Sequence, residues 1–331
     1  GGVKVISKLA WEVTITYLNE RREMMKRKLL FLVSFLAVII ICSSVSWAEE
    51  TKLTPIPPAC PTCCEITKPY PGISADDLMR IHYSVKYTKF AEDYKGIGFV
   101  KMINKKGFTR TRDWGRYRIL LNKRSETVDY KDLVVILGPQ NIKGLSVLTW
   151  TYLDPKKDQD VWLWLPSLRK IRRVSQSEAD DPFMGTEFTT EEMSTRKWED
   201  ETYKMVGEKK FGGYTAKFND KTYYKDTECY VLEAVPKRKE WYYSKRVVWL
   251  DKRFAGLVFD EVYDPAGRKW KTFVKDYGIW ENGCLPQLFL EGKDQLTDHV
   301  TVIGFEGKDI KFNSDMKESF FTERTLMRSK W

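Results

Sequence analysis

Residues 108–121 read FTRTRDWGRYRILL, and the alternation in this stretch decides the fold class. Thr109, Thr111, Asp113, Gly115, Tyr117 and Ile119 fall on one face; Arg110, Arg112, Trp114, Arg116, Arg118 and Leu120 fall on the other. Successive side chains of a β-strand point to opposite faces, so a period of two marks a strand. A second alternating run, GIGFVKMIN at 96–104, precedes it through a turn at Lys105, Lys106 and Gly107. Further strands are expected at 131–137, 145–153, 161–165, 202–207, 212–218, 221–235, 245–251, 256–263, 268–278, 285–291 and 298–306. Turn-forming pairs separate them, among them Asn219-Asp220, Asp264-Pro265 and Asn282-Gly283. Many short strands at even spacing predict a mainly β chain, an antiparallel barrel or a strongly curved sheet.

One helix is expected before the strands, over about 74–88. Ser74 can cap its free N–H groups, and Asp76 and Asp77 suit the positive end of its dipole. Leu78, Ile81, His82 and Val85 form its apolar stripe, which makes His82 a core or rim residue rather than a catalyst.

The N-terminal part has a different character. Met25 opens a charged run, Lys26, Arg27 and Lys28, followed by apolar or small residues from Leu29 to Ile41. Ser46 and Ala48 stand at the −3 and −1 positions of a cleavage site before Glu49, so residues 25–48 read as a secretory signal peptide. The apolar run is shorter than the roughly 20 residues a spanning helix needs. Residues 1–24 read as an over-extended gene start. Residues 49–71 carry Pro55, Pro57, Pro58, Pro61, Pro69 and Pro71 and read as an extended leader. The remaining 72–331 would be the β domain, exported to the periplasm.

The formal net charge is +10, of which residues 1–48 contribute 7 basic and 3 acidic side chains. Positive and negative residues interleave along the rest, the pattern of solvated strand faces rather than of a nucleic-acid surface; an anionic lipid headgroup remains compatible with it. Cys60, Cys63 and Cys64 sit among prolines, where an oxidised clip is the first reading and thiol-redox chemistry an alternative. Cys229 and Cys284 lie in later strand-like segments and could pair in an oxidising compartment, but the connectivity stays open.

Val161 to Phe188, VWLWLPSLRKIRRVSQSEADDPFMGTEF, holds the candidate ligand-binding residues. Trp162 and Trp164 stand in an aromatic strand ended by Pro166. Its wall is expected to present one indole inward and the other outward. Arg172 and Arg173 form a cationic pair, one facing the cavity mouth and the other paired with Asp180 or Asp181. Phe183 and Met184 follow Pro182 and are expected to flank the entrance. No catalytic residue, metal ligand set or cofactor motif is found: there is no G-x-S-x-G, H-E-x-x-H, phosphate loop or dinucleotide fingerprint. His299 follows Asp298 and is explained by a turn. The aromatic content, 14% of the chain, suits a barrel that encloses an apolar cavity.

The run from Trp162 to Pro166, Arg172 and Arg173, and Asp180 to Phe188 resembles the outer-membrane lipoprotein-sorting family, the LolA/LolB-like superfamily. It is most similar to a longer branch whose members are often encoded beside RND-type exporters. The similarity continues through Tyr230–Pro236, Lys245–Asp251, Val262–Lys271 and Phe320–Leu326, and covers about residues 76–327. The resemblance implies an unclosed antiparallel β-barrel with helices on its concave face. It implies no enzyme and no cofactor, but a carrier of lipid or lipoprotein acyl chains. An inner-membrane RND-type exporter or an outer-membrane acceptor would be its partner. An accessory exporter subunit acting by protein contact alone is the alternative.

Overall fold

The alternating stretch becomes the second strand of one large antiparallel sheet. The computed structural model describes residues 69–88, 91–175, 180–277, 287–305, 310–328 and 331. The expected gene start, the signal peptide and nearly all of the leader lie outside the described residues, and so do Cys60, Cys63, Cys64 and Cys284.

The first meander comprises β1 (Asp93–Ile103), β2 (Thr109–Leu120), β3 (Val128–Gly138), β4 (Ser146–Tyr152), β5 (Asp160–Leu165) and β6 (Lys170–Val174). A long connection leads to β7 (Glu201–Lys210) and a small hairpin, β8 (Tyr214–Thr215) with β9 (Thr222–Tyr223). The second meander runs through β10 (Glu228–Pro236), β11 (Lys245–Asp251), β12 (Leu257–Tyr263), β13 (Lys269–Tyr277), β14 (Gln287–Asp294) and β15 (Val300–Phe305), with β16 (Lys311–Phe312) after it. The sheet order is β6-β5-β4-β3-β2-β1-β15-β14-β13-β12-β11-β10-β7, with β16 added beside β1. The two meanders therefore join where β1 meets β15, from Gly98 opposite Phe305 to Ile103 opposite Val300. β6 and β7 stand at opposite ends of the order, so the barrel is unclosed.

Two expectations about strands need correction. Residues 212–235 do not form two long strands, because Tyr224 (φ 56°) and Asp226 (φ 61°) take left-handed conformations and break the run into the β8–β9 hairpin and β10. The cationic cluster after Pro166 is itself a strand, β6, paired with β5 from Val161 opposite Val174 to Leu165 opposite Lys170. Its charges suit an edge, where they discourage pairing with another chain.

The helix is found where expected, α1 (Ala75–Tyr83) continued by a π-helical turn over Ser84–Thr88. Ser74 caps it by accepting the Asp77 N–H at 3.1 Å. Leu78, Met79, Ile81, His82 and Val85 are buried against Tyr230, Leu232, Val248, Leu250 and Leu257 of β10–β12. Burying a Leu or Ile side chain contributes about 1.5–3 kcal/mol, and this stripe is what holds α1 on the inner face.

The connection from β6 to β7 must travel from one edge of the sheet to the other, and it crosses the inner face. It carries a 3₁₀ turn at Phe183–Gly185 and the short helix α2 (Thr190–Met193). Thr189 and Glu192 close a capping box at α2, each side chain bonded to the other's backbone N–H. Phe188 stacks on Phe273 at 5.6 Å and is buried with Tyr94, Trp114, Leu290 and Ile303. Gly292 makes room for it: a Cβ there would stand 2.6 Å from the Phe188 ring.

The outer face is covered differently on each half. On β2–β5 the C-terminal segment packs Phe321 and Leu326, the latter from α3 (Glu323–Leu326), against Ile119, Leu133, Val135 and Leu148. Trp150 Nε1 donates to Phe321 O at 3.2 Å and Ser146 Oγ to Leu326 O at 3.3 Å. On the other half the β8–β9 hairpin covers Cys229, Val258, Val274 and Phe289.

Candidate functional site

The cavity follows from the alternation of β2. Trp114, Arg116 and Arg118 point to the inner face, whereas Tyr117 and Ile119 belong to the outer one. Trp114 Nε1 donates to Phe99 O and Gly304 O, both at 3.2 Å. Gly98 permits that crossing, since a Cβ there would lie 2.6 Å from Trp114 Nε1. The indole thus forms a fixed floor between the two meanders.

Two voids meet over this floor. The first is apolar, walled by Val100, Trp114, Ile136, Val147, Val161 and Ile303 of the sheet. Phe183, Met184 and Met193 of the crossing segment close it. Its volume is about 60 Å³. The second, of about 80 Å³, is polar and lined by Lys86, Tyr94, Arg116, Arg118, Tyr130 and Asp132. Arg116, Asp132, Thr149, Met193 and Ser194 line both, so the two adjoin as neighbouring arms over the floor.

In the polar arm one carboxylate serves two guanidinium groups. Asp132 Oδ2 accepts from Arg116 Nη2 at 2.5 Å and from Arg118 Nη2 at 2.9 Å. Burial pushes the Asp132 carboxyl up, but Arg116 and Arg118 outweigh it and hold it down to about 2. The Arg118 guanidinium lies 4.2 Å from the Tyr130 ring centre, a cation–π contact that offsets part of its desolvation. Burial, with Arg196 nearby, lowers the Lys86 ammonium to about 7. Glu192 faces this arm; its Oε2 accepts from Thr189 N at 2.7 Å and Lys271 Nζ at 3.0 Å.

The inner face of the second half is closed by matched charges. Arg246 is gripped by Glu201 at 2.6 Å and Asp260 at 2.7 Å, and Tyr243 donates to Glu201 at 2.8 Å. Burial raises the Glu201 carboxyl, yet Arg246 and Arg196 bring it down to about 2. Arg196 pairs with Glu191, which Tyr242 also bonds. His82 sits beside this cluster and accepts the Leu257 N–H at 3.2 Å through Nδ1. Burial, with Lys86, Lys275 and Arg246 around it, pushes its imidazole well down, so it is a neutral core residue.

Of the six residues expected to bind ligand, Phe183 and Met184 line the cavity and the others do not. Trp162 and Trp164 both pack in the outer cluster with Leu148 and Phe321. Residues two apart on a strand share a face, so the expectation of one indole inward was geometrically wrong. Arg173 pairs with Asp160 and lies 5.9 Å over Trp162, not with Asp180 or Asp181. Arg172 is exposed on the edge strand and does not line either arm. His299 lies 3.4 Å from Glu187, at the start of β15. Cys229 is buried among Val258 and Val274, where burial pushes its thiol up to about 12, so it acts as a small apolar filler. Arg116, Arg118 and Lys86 were missed. The available signal was that Arg116 and Arg118 share the strand face of Trp114, an uncommon neighbour for solvated charge.

A family model described as an uncharacterized protein family matches residues 128–328. The chain belongs to that family. No curated protein matches the sequence. Among solved structures, a putative outer membrane lipoprotein-sorting protein domain from Vibrio parahaemolyticus superposes with a TM-score of 0.64 at 22% identity, covering 77% of this chain and 98% of that one. A DUF1329 family protein from Desulfovibrio piger gives 0.64 at 21% identity, with 76% and 97% covered. A LolA superfamily protein from Nitrosomonas europaea gives 0.53 at 16% identity, with 77% and 100% covered. At these identities the likeness is one of fold. The family member described here has the LolA-like fold, an unclosed antiparallel barrel with helices over its concave face, as its sequence motifs implied.

Proposed function

We propose that this protein is a periplasmic carrier that binds lipidated or other acyl-bearing cargo on the inner face of the barrel. The observation that carries this reading is the apolar arm, walled by the sheet and filled from above by the chain's own Phe183, Met184 and Met193. An arm of about 60 Å³ holds a few waters and no whole acyl chain, so the crossing segment occupies the cargo's place and must lift for loading. Arg112 Nη1 donates to Met184 O at 2.6 Å and ties the segment down. Met184 itself is held at φ 51°, in the left-handed region, which costs about 1 kcal/mol that lifting would release. Transfer of a chain from water is favourable by about 0.8 kcal/mol per CH₂, and needs no chemical step.

Export would follow from residues 25–48 as a signal peptide cut after Ala48, which N-terminal sequencing of the exported form tests. Among the described residues no helix is long and apolar enough to cross a membrane. The partner in this reading is an RND-type inner-membrane exporter or an outer-membrane acceptor, to be captured by cross-linking in membranes. The cargo test is direct. Delipidated protein is titrated with a fluorescent fatty acid and a triacylated peptide; micromolar binding is expected, and no binding of any amphiphile would sink the proposal.

A further inference from the structure

In the polar arm two guanidinium groups share one carboxylate. Arg116 and Arg118 face the arm with Asp132 between them, and Lys86, whose ammonium burial lowers to about 7, and Glu192 complete its charged lining. Asp132 is shared between two guanidinium groups, and Glu192 already holds Lys271. The contrast lies a few strands away, where Arg246 lies between two carboxylates, Glu201 and Asp260, the second shared with Lys275. Two guanidinium groups on one carboxylate are costly to bury, because little water remains to solvate them: the Arg118 side chain is 5% exposed and that of Arg116 22%. An incoming anion removes that cost and gains charge-assisted hydrogen bonds at the same moment.

We propose that the polar arm receives a single anionic headgroup, a carboxylate or a phosphate, whose acyl chain enters the adjoining apolar arm. This rests on the acyl-cargo reading and narrows it to anionic amphiphiles. Space and position agree. A void of about 80 Å³ exceeds the roughly 10–15 Å³ one water needs, so it has room for more than a single water beside Arg116 and Arg118. Arg116, Asp132 and Thr149 stand at the junction, so a ligand with its head in one arm has its chain directed into the other. Glu192 adds a further contact: its Oε1 is buried and makes no hydrogen bond. Burial also raises its carboxyl, which lets that oxygen carry a proton and donate to the headgroup.

The test is calorimetric titration of the full chain with palmitate, hexadecanol, lysophosphatidic acid, lysophosphatidylcholine and inorganic phosphate. Palmitate is expected to bind about tenfold or more tightly than hexadecanol, and lysophosphatidic acid likewise above lysophosphatidylcholine. The ratio within each pair should collapse toward one in Arg118→Met, which leaves the Arg116–Asp132 pair in place. If Arg118→Met fails to fold, Lys86→Met carries the test, with a smaller fall in the same ratios. Equal binding of charged and neutral chains would overturn the headgroup site while leaving the acyl reading intact. No binding of any chain would overturn both. Inorganic phosphate competing at micromolar concentration without a chain would also overturn it, by assigning the arm to a free anion.

Discussion

The two halves of the inner face are built from the same kinds of residue and reach opposite results. Under α1, the strands β7 and β10–β13 bury Arg246 between Glu201 and Asp260, and aliphatic side chains fill the space around them. Over β1–β5, two arginines share one aspartate beside a void, covered by a crossing segment that Arg112 ties down. Buried charge closes a structure when acids and bases are matched, and leaves it receptive when they are not. One half is scaffold and the other is site.

The largest expected effect breaks the scaffold half. Arg246→Met leaves buried Glu201 without its paired cation and Asp260 with Lys275 alone, and should cost about 3–5 kcal/mol in urea unfolding. A loss below about 1 kcal/mol would mean the matched cluster is not what closes that side. Acid provides the next test. Asp132 and Glu201 are both held down to about 2, so their stabilisation is present above their unfolded values and lost as pH falls toward 2. With unfolded values of about 3.9 and 4.3, each should contribute about 2–3 kcal/mol that disappears between roughly pH 4 and pH 2. Unfolding curves at pH 6, 4, 3 and 2 measure this, and a flat profile would contradict both ion clusters.

Trp162→Ala probes the two faces of the first half against each other. It should cost on the order of 1–2 kcal/mol by exposing the outer cluster under the C-terminal segment, with fatty-acid affinity unchanged. A parallel fall in affinity would return the indole to the cavity. Arg112→Met should lower stability by only about 1 kcal/mol, yet speed proteolysis between Asp180 and Thr190 by releasing Met184. Arg173→Ala is expected to do least, on the order of 0.5 kcal/mol or less, because its pairing with Asp160 is an exposed one.

Much of this fold was legible because alternation reports the backbone directly. The Ser74 cap, the stripe of α1 and most strand positions could be read without knowing what lies across from them. The site was less legible, for a physical reason: it is made by register. Arg118 meets Asp132 because β2 pairs with β3 at that step, and Lys86 joins them from the helical turn before β1. Neither relation leaves a local mark. The sequence pointed instead to Arg172 and Arg173, whose adjacency is conspicuous but whose place on an edge strand keeps them outside the cavity. The Trp162 and Trp164 error was of another kind, since their shared face followed from spacing alone.

The crossing segment is joined to the sheet at β6 and again at β7, and this has a consequence for exchange. In the carrier proposed above, a strap fastened at both rims cannot diffuse away when cargo enters. Phe183, Met184 and Met193 remain tethered competitors, at an effective concentration on the order of millimolar. Every cargo must outcompete them, which lowers its apparent affinity by the fraction of molecules whose cavity the strap has vacated and gives the empty state a ready route back. Such a molecule holds its cargo loosely by construction, and Arg112→Met, by loosening the competitor, should hold it more tightly and hand it on more slowly.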